Sequence, residues 1–352
     1  MSARSRSKAS ACCATRWRRR PPERPVILRP TTDGDQQMTS VTDIAYVEFG
    51  FKDLERAEAF YSDFGLVLEE RTDSTLLMRA ACEQRYCFIG RKSDSNGLQA
   101  VGMKAVSMKV LEEAAQFPEA SGIEAMDAPG GGWRVRLASP SGLSFDLTFG
   151  IEAQVPLPTR APLKINHGQV KSRFGEWQRA KDGAAEVLRL GHVALATTDF
   201  ERDFAWLQSR LGMRPSDILF DGKPENRIGA FLHCTGASRW VDHHSIALFA
   251  SSETRMHHCS FELQDIDAEF LGNKWMQSRG WTGLWGIGRH VLGSQIYDYW
   301  FDPEGNLVEH FTDGDLVQPG TEAGMHQVCD DSLSQWGPPV PKTFLEPWKH
   351  EA

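Results

Sequence analysis

Two widely separated stretches of the chain read alike, and this duplication restricts the fold more than any other feature. Ile44 to Gly50 is followed by Asp53-Leu54-Glu55-Arg56, an amphipathic stretch, then Phe64-Gly65-Leu66. Leu190 to Ala196 is followed by Asp199-Phe200-Glu201-Arg202, an amphipathic stretch, then Leu211-Gly212-Met213. Each reads as a strand, a capped helix and a glycine at the helix end. Ala57, Phe60 and Tyr61, and again Phe204, Leu207 and Leu211, fall at helical spacing.

A second kind of unit begins near Ala105 and again near His258. Val106 to Val110 aligns with Cys259 to Leu263, and both alternate as half-buried strands do. Each unit closes on a Pro-x-Gly turn: Ser139-Pro140-Ser141-Gly142 leads to Asp146, and Asp302-Pro303-Glu304-Gly305 leads to Glu309. Four βαβββ units, near 43–100, 101–150, 189–253 and 254–313, are expected. The expected class is α+β, with two domains, each of two paired βαβββ modules forming an open barrel-like cup. The domains span 38–150 and 189–315. A Pro- and Lys-rich linker or arm covers 151–188, and a proline-bearing tail covers 316–352. That tail is expected to lie over a domain surface or to reach a neighbouring subunit.

Aligning the repeats exposes an asymmetry. Tyr46 stands where His192 stands, Ala105 where His258 stands, and Asp146 where Glu309 stands. The first half keeps a carboxylate but neither imidazole, and is read as a metal-free scaffold. The second half brings two imidazoles and a carboxylate to repeat-equivalent strands, His192 and His258 each opening one. A lone histidine on an apolar strand is more often a core residue than a ligand; two at equivalent positions, with Glu309 placed as well, reverse that balance. This is the 2-His-1-carboxylate ligand set, which leaves three adjacent metal positions open and suits an oxygenase better than a hydrolase. Fe(II), Mn(II) and Zn(II) fit such ligands almost equally. His243-His244 and His257-His258 are tandem pairs; on a strand, only one member of each faces the cup.

Composition removes other classes. The chain of 352 residues carries a net charge of −8, which gives no footprint for nucleic acid. No apolar run approaches the roughly 20 residues a membrane span needs. The cysteines number seven, without disulfide-framework spacing, and read as reduced thiols of a cytoplasmic protein. Residues 1–37 are Arg-, Ser- and Pro-rich. They read as a disordered extension: a transit-peptide-like segment or, the preferred reading, an over-extended frame with Met38 rather than Met1 as the true start.

Gly191-His192, Asp242-His243-His244-Ser245, His257-His258 and the block from Gly288-Arg289-His290 through Tyr299 and Asp302-Pro303-x-Gly305 to Glu309 together resemble one family. They look like the type I extradiol ring-cleavage dioxygenases of the vicinal oxygen chelate (glyoxalase/bleomycin resistance/dioxygenase) superfamily. The likeness runs from about Ile44 to Asp315. It implies an Fe(II)-dependent enzyme, with Mn(II) as the alternative metal, that opens a di- or trihydroxylated aromatic ring with O2. It implies His192, His258 and Glu309 as metal ligands and His244 as the acid–base residue. It implies His290 and Tyr299 as groups around substrate and oxygen, and a homo-oligomer. Leu292 departs from relatives of biphenyl degradation, which often carry Asn two positions after the Gly-Arg-His histidine; the ring substituents therefore stay open. A glyoxalase-like lyase or isomerase and a metal-free small-molecule binder are the rival readings. Trp275, Trp281, Trp285, Trp300 and Phe301 surround the site segments and line an aromatic pocket or belong to the core.

Overall fold

The computed structural model describes residues 40–237, 239–329 and 332–344. The extension of residues 1–37 and the choice between Met1 and Met38 lie outside the described residues. The first half runs β1 (Val41–Phe51), α1 (Leu54–Phe64), β2 (Val67–Arg71), β3 (Thr75–Arg79) and β4 (Phe88–Lys92). It continues with β5 (Gly97–Ala105), α2 (Met108–Ala114), β6 (Glu124–Ala125), β7 (Trp133–Ala138) and β8 (Ser144–Phe149). The second half runs β9 (Val187–Thr197), α3 (Phe200–Leu211), β10 (Arg214–Phe220), β11 (Arg227–His233), β12 (Val241–Asp242) and β13 (Ile246–Ala250). It continues with β14 (Arg255–Leu263), α4 (Ile266–Ser278), β15 (Gly283–Arg289), β16 (Ile296–Phe301) and β17 (Leu307–Thr312), then β18 (Leu316–Val317) and β19 (Gly324–Gln327).

The two large sheets share one strand order. The first is β2-β3-β4-β1-β5-β8-β7-β6; the second, read in the same sense, is β19-β10-β11-β13-β9-β14-β17-β16-β15. In both, a central antiparallel pair (β1–β5, β9–β14) is flanked by parallel partners. Each sheet stays open and curls into a cup, so the expected α+β class with paired βαβββ modules is what forms.

Local chemistry explains the repeated strand–helix units. The Asp53 carboxylate accepts from the backbone N–H groups of Glu55 and Arg56, both at 3.0 Å, and caps α1. Gly65 ends the helix at φ 115°, in the left-handed region. Asp199 and Gly212 do the same for α3. The apolar faces, including Ala57, Phe60 and Tyr61 and Phe204, Leu207 and Leu211, are buried. Each large side chain so buried contributes about 1.5–3 kcal/mol. The core runs without a break across both halves. Polar contacts stitch the join: the Tyr61 hydroxyl donates to Asp302 at 3.2 Å and His310 Nε2 to the Phe64 carbonyl at 2.7 Å.

One alignment needs correction. Val106 to Val110 is not a strand: β5 ends at Ala105 and α2 begins at Met108. The alternating Val106, Met108 and Val110 also fit a short helix, whose buried face is Val110, Leu111 and Ala114. The counterpart of β14 is β5. Tyr46 pairs with Gly102 as His192 pairs with Ser260, and Glu48 pairs with Ala100 as Ala194 pairs with His258. Ala100, not Ala105, therefore stands in the place of His258. His192 and His258 also lie within their strands rather than opening them.

Candidate metal centre

Four adjacent strands carry one transverse row. Tyr299 on β16 pairs with Glu309 on β17, Glu309 with Ser260 on β14, and Ser260 with His192 on β9. His258 lies two residues before Ser260, on the same face. The ligand atoms of His192, His258 and Glu309 all lie within 4.8 Å of one another. His192 Nε2 is 3.2 Å from His258 Nε2 and 3.1 Å from Glu309 Oε2, and His258 Nε2 is 3.4 Å from the same oxygen.

Two bulges aim these side chains. Leu190 pairs with Phe261 and His192 with Ser260, which leaves Gly191 as the extra residue. A Cβ at Gly191 would stand 2.4 Å from the Phe311 ring, so only glycine lets the strand bend there. Met256 pairs with Leu195 and His258 with Ala194, so His257 is the extra residue of the second bulge. The expected alternation of the tandem pair fails here: His257 and His258 both line the cavity. His243-His244 precedes β13 rather than lying within a strand, and both members are buried.

Hydrogen bonds fix the proton positions. His257 Nε2 donates to the Phe344 carbonyl at 2.5 Å. Burial pushes His257 down to about 3, so the ring is neutral and its Nδ1 is bare. That nitrogen accepts from His258 Nδ1 at 2.8 Å, which leaves His258 Nε2 as a lone pair facing Glu309. His290 Nδ1 donates to the Leu333 carbonyl at 2.7 Å, and its Nε2 accepts from the Tyr299 hydroxyl at 2.9 Å. Burial lowers His258 and holds His244 well below the usual imidazole range. Burial raises Glu309, but the facing imidazoles of His192, His258 and His290 outweigh it and hold the carboxyl well below its ordinary value.

These residues fit a divalent cation. Glu309 is fully buried, and despite the short distances neither of its oxygens accepts a hydrogen bond of good geometry. An ionised carboxylate turned toward two imidazole nitrogens without a hydrogen bond of good geometry is incomplete without positive charge.

The first cup repeats the row with different chemistry. Arg136, Asp146, Gly102 and Tyr46 occupy the places of Tyr299, Glu309, Ser260 and His192. Arg136 donates to Asp146 at 2.6 and 2.8 Å, and the Tyr46 hydroxyl donates at 2.8 Å. A side-chain cation fills this cup.

In the second cup an open cavity of about 610 Å³, counted out to its mouth, meets the row. His192, His244, His258, His290 and Tyr299 line it, with an apolar wall of Leu219, Phe231, Phe249, Leu292, Leu333 and Phe344. The tryptophans read as either lining or core do not line it. Trp285 stacks behind Tyr299, at 5.8 Å between ring centres, and Trp281 packs on Phe60 in the other half. Leu333 and Phe344 were not legible as lining; their proline-bearing tail suggested a cover over a domain surface or a reach to a neighbouring subunit.

The Glyoxalase/Bleomycin resistance protein/Dioxygenase superfamily profile matches residues 189–310. Metapyrocatechase 2 of Cupriavidus necator is 30% identical over 312 residues, which cover 83% of this chain and 88% of that protein. The chain belongs to the type I extradiol dioxygenases of the vicinal oxygen chelate superfamily. Two solved structures share its fold. The Mn(II)-bound glyoxalase from Novosphingobium aromaticivorans has a TM-score of 0.73 at 22% identity, covering 89% of this chain and 96% of its own. Homoprotocatechuate 2,3-dioxygenase from Arthrobacter globiformis has a TM-score of 0.71 at 22% identity, covering 88% and 92%. Among the described residues, no helix is long and apolar enough to cross a membrane.

Proposed function

We propose that this extradiol dioxygenase is metal-dependent and cleaves a catechol-type ring, with two or three hydroxyls, in the second cup. His192, His258 and Glu309 hold Fe(II), or Mn(II) in its place. The observation that carries the reading is the buried Glu309 carboxylate, without a good hydrogen bond and turned toward two imidazole nitrogens. When bound, the metal supplies the centre at which the diol and O2 are brought together. The chain's own residues supply the proton chemistry. His244 takes a hydroxyl proton from the diol and returns one as the ring opens. Tyr299 and His290, already hydrogen-bonded to each other, hold the diol oxygen and the incoming oxygen in register. The apolar wall of Phe231, Phe249 and Phe344 accepts the ring and excludes water. The thiols of Cys82, Cys87, Cys234 and Cys259 support a cytoplasmic setting, and the family likeness supports a homo-oligomer.

A glyoxalase-like reaction is the competing reading, because a glyoxalase shares the fold. The grouping of His244, His290 and Tyr299 in the cavity beside His192 and His258 favours the dioxygenase. The deciding experiment is anaerobic purification, loading with Fe(II) or Mn(II), and a panel of substituted catechols and hydroxyquinols. O2 uptake and product absorbance are followed together. Oxygen-dependent turnover is expected; a metal-loaded enzyme inert across the whole panel defeats the proposal. His258→Ala should lose bound metal and activity together.

A further inference from the structure

His243 makes no contact with the metal positions, yet every polar atom it owns is held. Its backbone N–H donates to the Asp315 carbonyl at 2.9 Å, and its carbonyl accepts from Ser216 Oγ at 2.5 Å. Its Nε2 lies 2.7 Å from Asp217 Oδ2, and its Nδ1 lies 3.1 Å from His244 Nδ1. Gly293, at φ +79°, leaves room at that point; a Cβ there would stand 3.2 Å from His243 Nδ1. The other oxygen of Asp217 accepts from His326 Nε2 at 2.7 Å. His326 arrives on β19, which pairs with β10 beside Asp217.

The proton order follows from what each group can do. Burial raises Asp217, but the hydrogen bonds from His243 and His326 outweigh it and keep the carboxyl below its ordinary range. An ionised carboxylate only accepts, so both facing imidazole nitrogens carry hydrogen. With its single hydrogen on Nε2, facing Asp217, His243 turns a lone pair on Nδ1 toward His244. A bare Nδ1 facing His244 Nδ1 requires hydrogen on the latter. His244 is then left with a bare Nε2 for the cavity that it lines.

We propose that Asp217 and His243 are positioning residues that fix His244 as the Nδ1-protonated tautomer, presenting its Nε2 lone pair to the diol. A base needs a lone pair aimed at the proton it takes, and the opposite tautomer would offer an N–H instead. An aspartate that fixes an imidazole's tautomer is the device known from the serine protease triad; here the half-buried Asp217 acts through one intervening ring. The proposal rests on His244 being the acid–base residue. It adds that the tail, through His326, anchors the far end of the arrangement.

The test is the 15N spectrum of histidine-labelled enzyme loaded with Zn(II), a diamagnetic stand-in, with resonances assigned by single His→Gln variants. Wild type should show His244 and His243 as neutral rings protonated on Nδ1 and Nε2 respectively. A proton on His244 Nε2 overturns the proposal whatever the activity. In Asp217→Asn, kcat on a catechol that the wild type turns over should fall by about tenfold or more, with KM within about threefold. Asp217→Glu, which restores a carboxylate, should recover part of that loss. An Asp217→Asn enzyme that folds and keeps both the tautomer and the wild-type kcat also overturns it. Failure of the underlying reading looks different: His244→Ala with full turnover removes the acid–base role and leaves the 15N result standing.

Discussion

Arg136→Met isolates what separates the two cups. Asp146 is fully buried and holds Arg136 at 2.6 Å through Nε and 2.8 Å through Nη2. Removing the guanidinium leaves that carboxylate with the Tyr46 hydroxyl at 2.8 Å and Arg134 at 3.7 Å. Breaking a fully buried ion pair from one side costs about 3–5 kcal/mol. The Arg136 side chain is 36% exposed and Arg134 can take over part of its role, so the loss should be smaller, about 2–4 kcal/mol. Asp146→Asn should cost about 1–3 kcal/mol, because the amide oxygen still accepts one hydrogen bond and the arginine can turn to water. The double variant Arg136→Met/Asp146→Asn should cost less than the sum, by about 1–3 kcal/mol of coupling. Urea unfolding of the four proteins measures each corner, and elemental analysis measures bound metal in each. Metal content should not change, because the first cup, with Tyr46 and Ala100 in the places of His192 and His258, brings no imidazole to Asp146. An Arg136→Met loss below about 0.5 kcal/mol, within the range of ordinary surface substitutions, refutes the energetic reasoning. Loss of bound metal from that variant refutes the claim that only the second cup takes one.

Three further outcomes follow from the geometry. Metal at one hundred times its dissociation constant stabilises a protein by about 2.7 kcal/mol, an upward shift of about 4 °C at the per-residue unfolding entropy of a chain this long; Glu309→Gln should lose most of that shift in a thermal melt, and a full shift would remove Glu309 from the ligand set. Burial raises Asp298 to about 7, so the folded protein keeps a proton that the unfolded chain releases near pH 4. Stability should therefore fall as pH rises from about 4 through about 7, and Asp298→Asn should gain about 1–4 kcal/mol over wild type at pH 8 but little at pH 4; melting curves whose separation is constant with pH would refute this. Gly191→Ala drives a Cβ to within 2.4 Å of the Phe311 ring, which packs on His192; it should cost about 1–3 kcal/mol and weaken metal retention, and a variant with wild-type stability and metal content would show that the bulge tolerates a side chain.

What the sequence made legible was whatever repeats locally. Asp53 and Asp199 cap equivalent helices, Gly65 and Gly212 end them, and Asp302-Pro303-x-Gly305 turns the chain into the strand that carries Glu309. Those signals span a few residues and need no partner strand to be read. The errors came where pairing across strands decides the outcome. Val106 to Val110 could alternate as a strand or wind as a short helix, and only the end of the β1–β5 ladder at Ala105 separates the two. The rule that one member of a tandem histidine pair turns away assumes an unbroken ladder. The extra residue at His257 breaks it, and the same residue then meets the Phe344 carbonyl.

That last contact connects the tail to the metal site, and composition could not have shown it. The proline-bearing tail looks like a surface cover. Yet its Phe344 carbonyl orders the His257–His258 protons, its Leu333 carbonyl orders His290, and its His326 holds Asp217. The proposed ligands come from a duplicated core that folds on local rules. The proton order at one of them, His258, and at the neighbouring His290 and Asp217 is set by a segment outside the repeat. A chain cut before β19 should therefore retain both sheets and the three ligand side chains while losing the hydrogen-bond order around them. Circular dichroism near that of the full chain, together with weakened metal retention, is the expected result. Unchanged metal retention in the shortened protein would show that the core orders its own histidines.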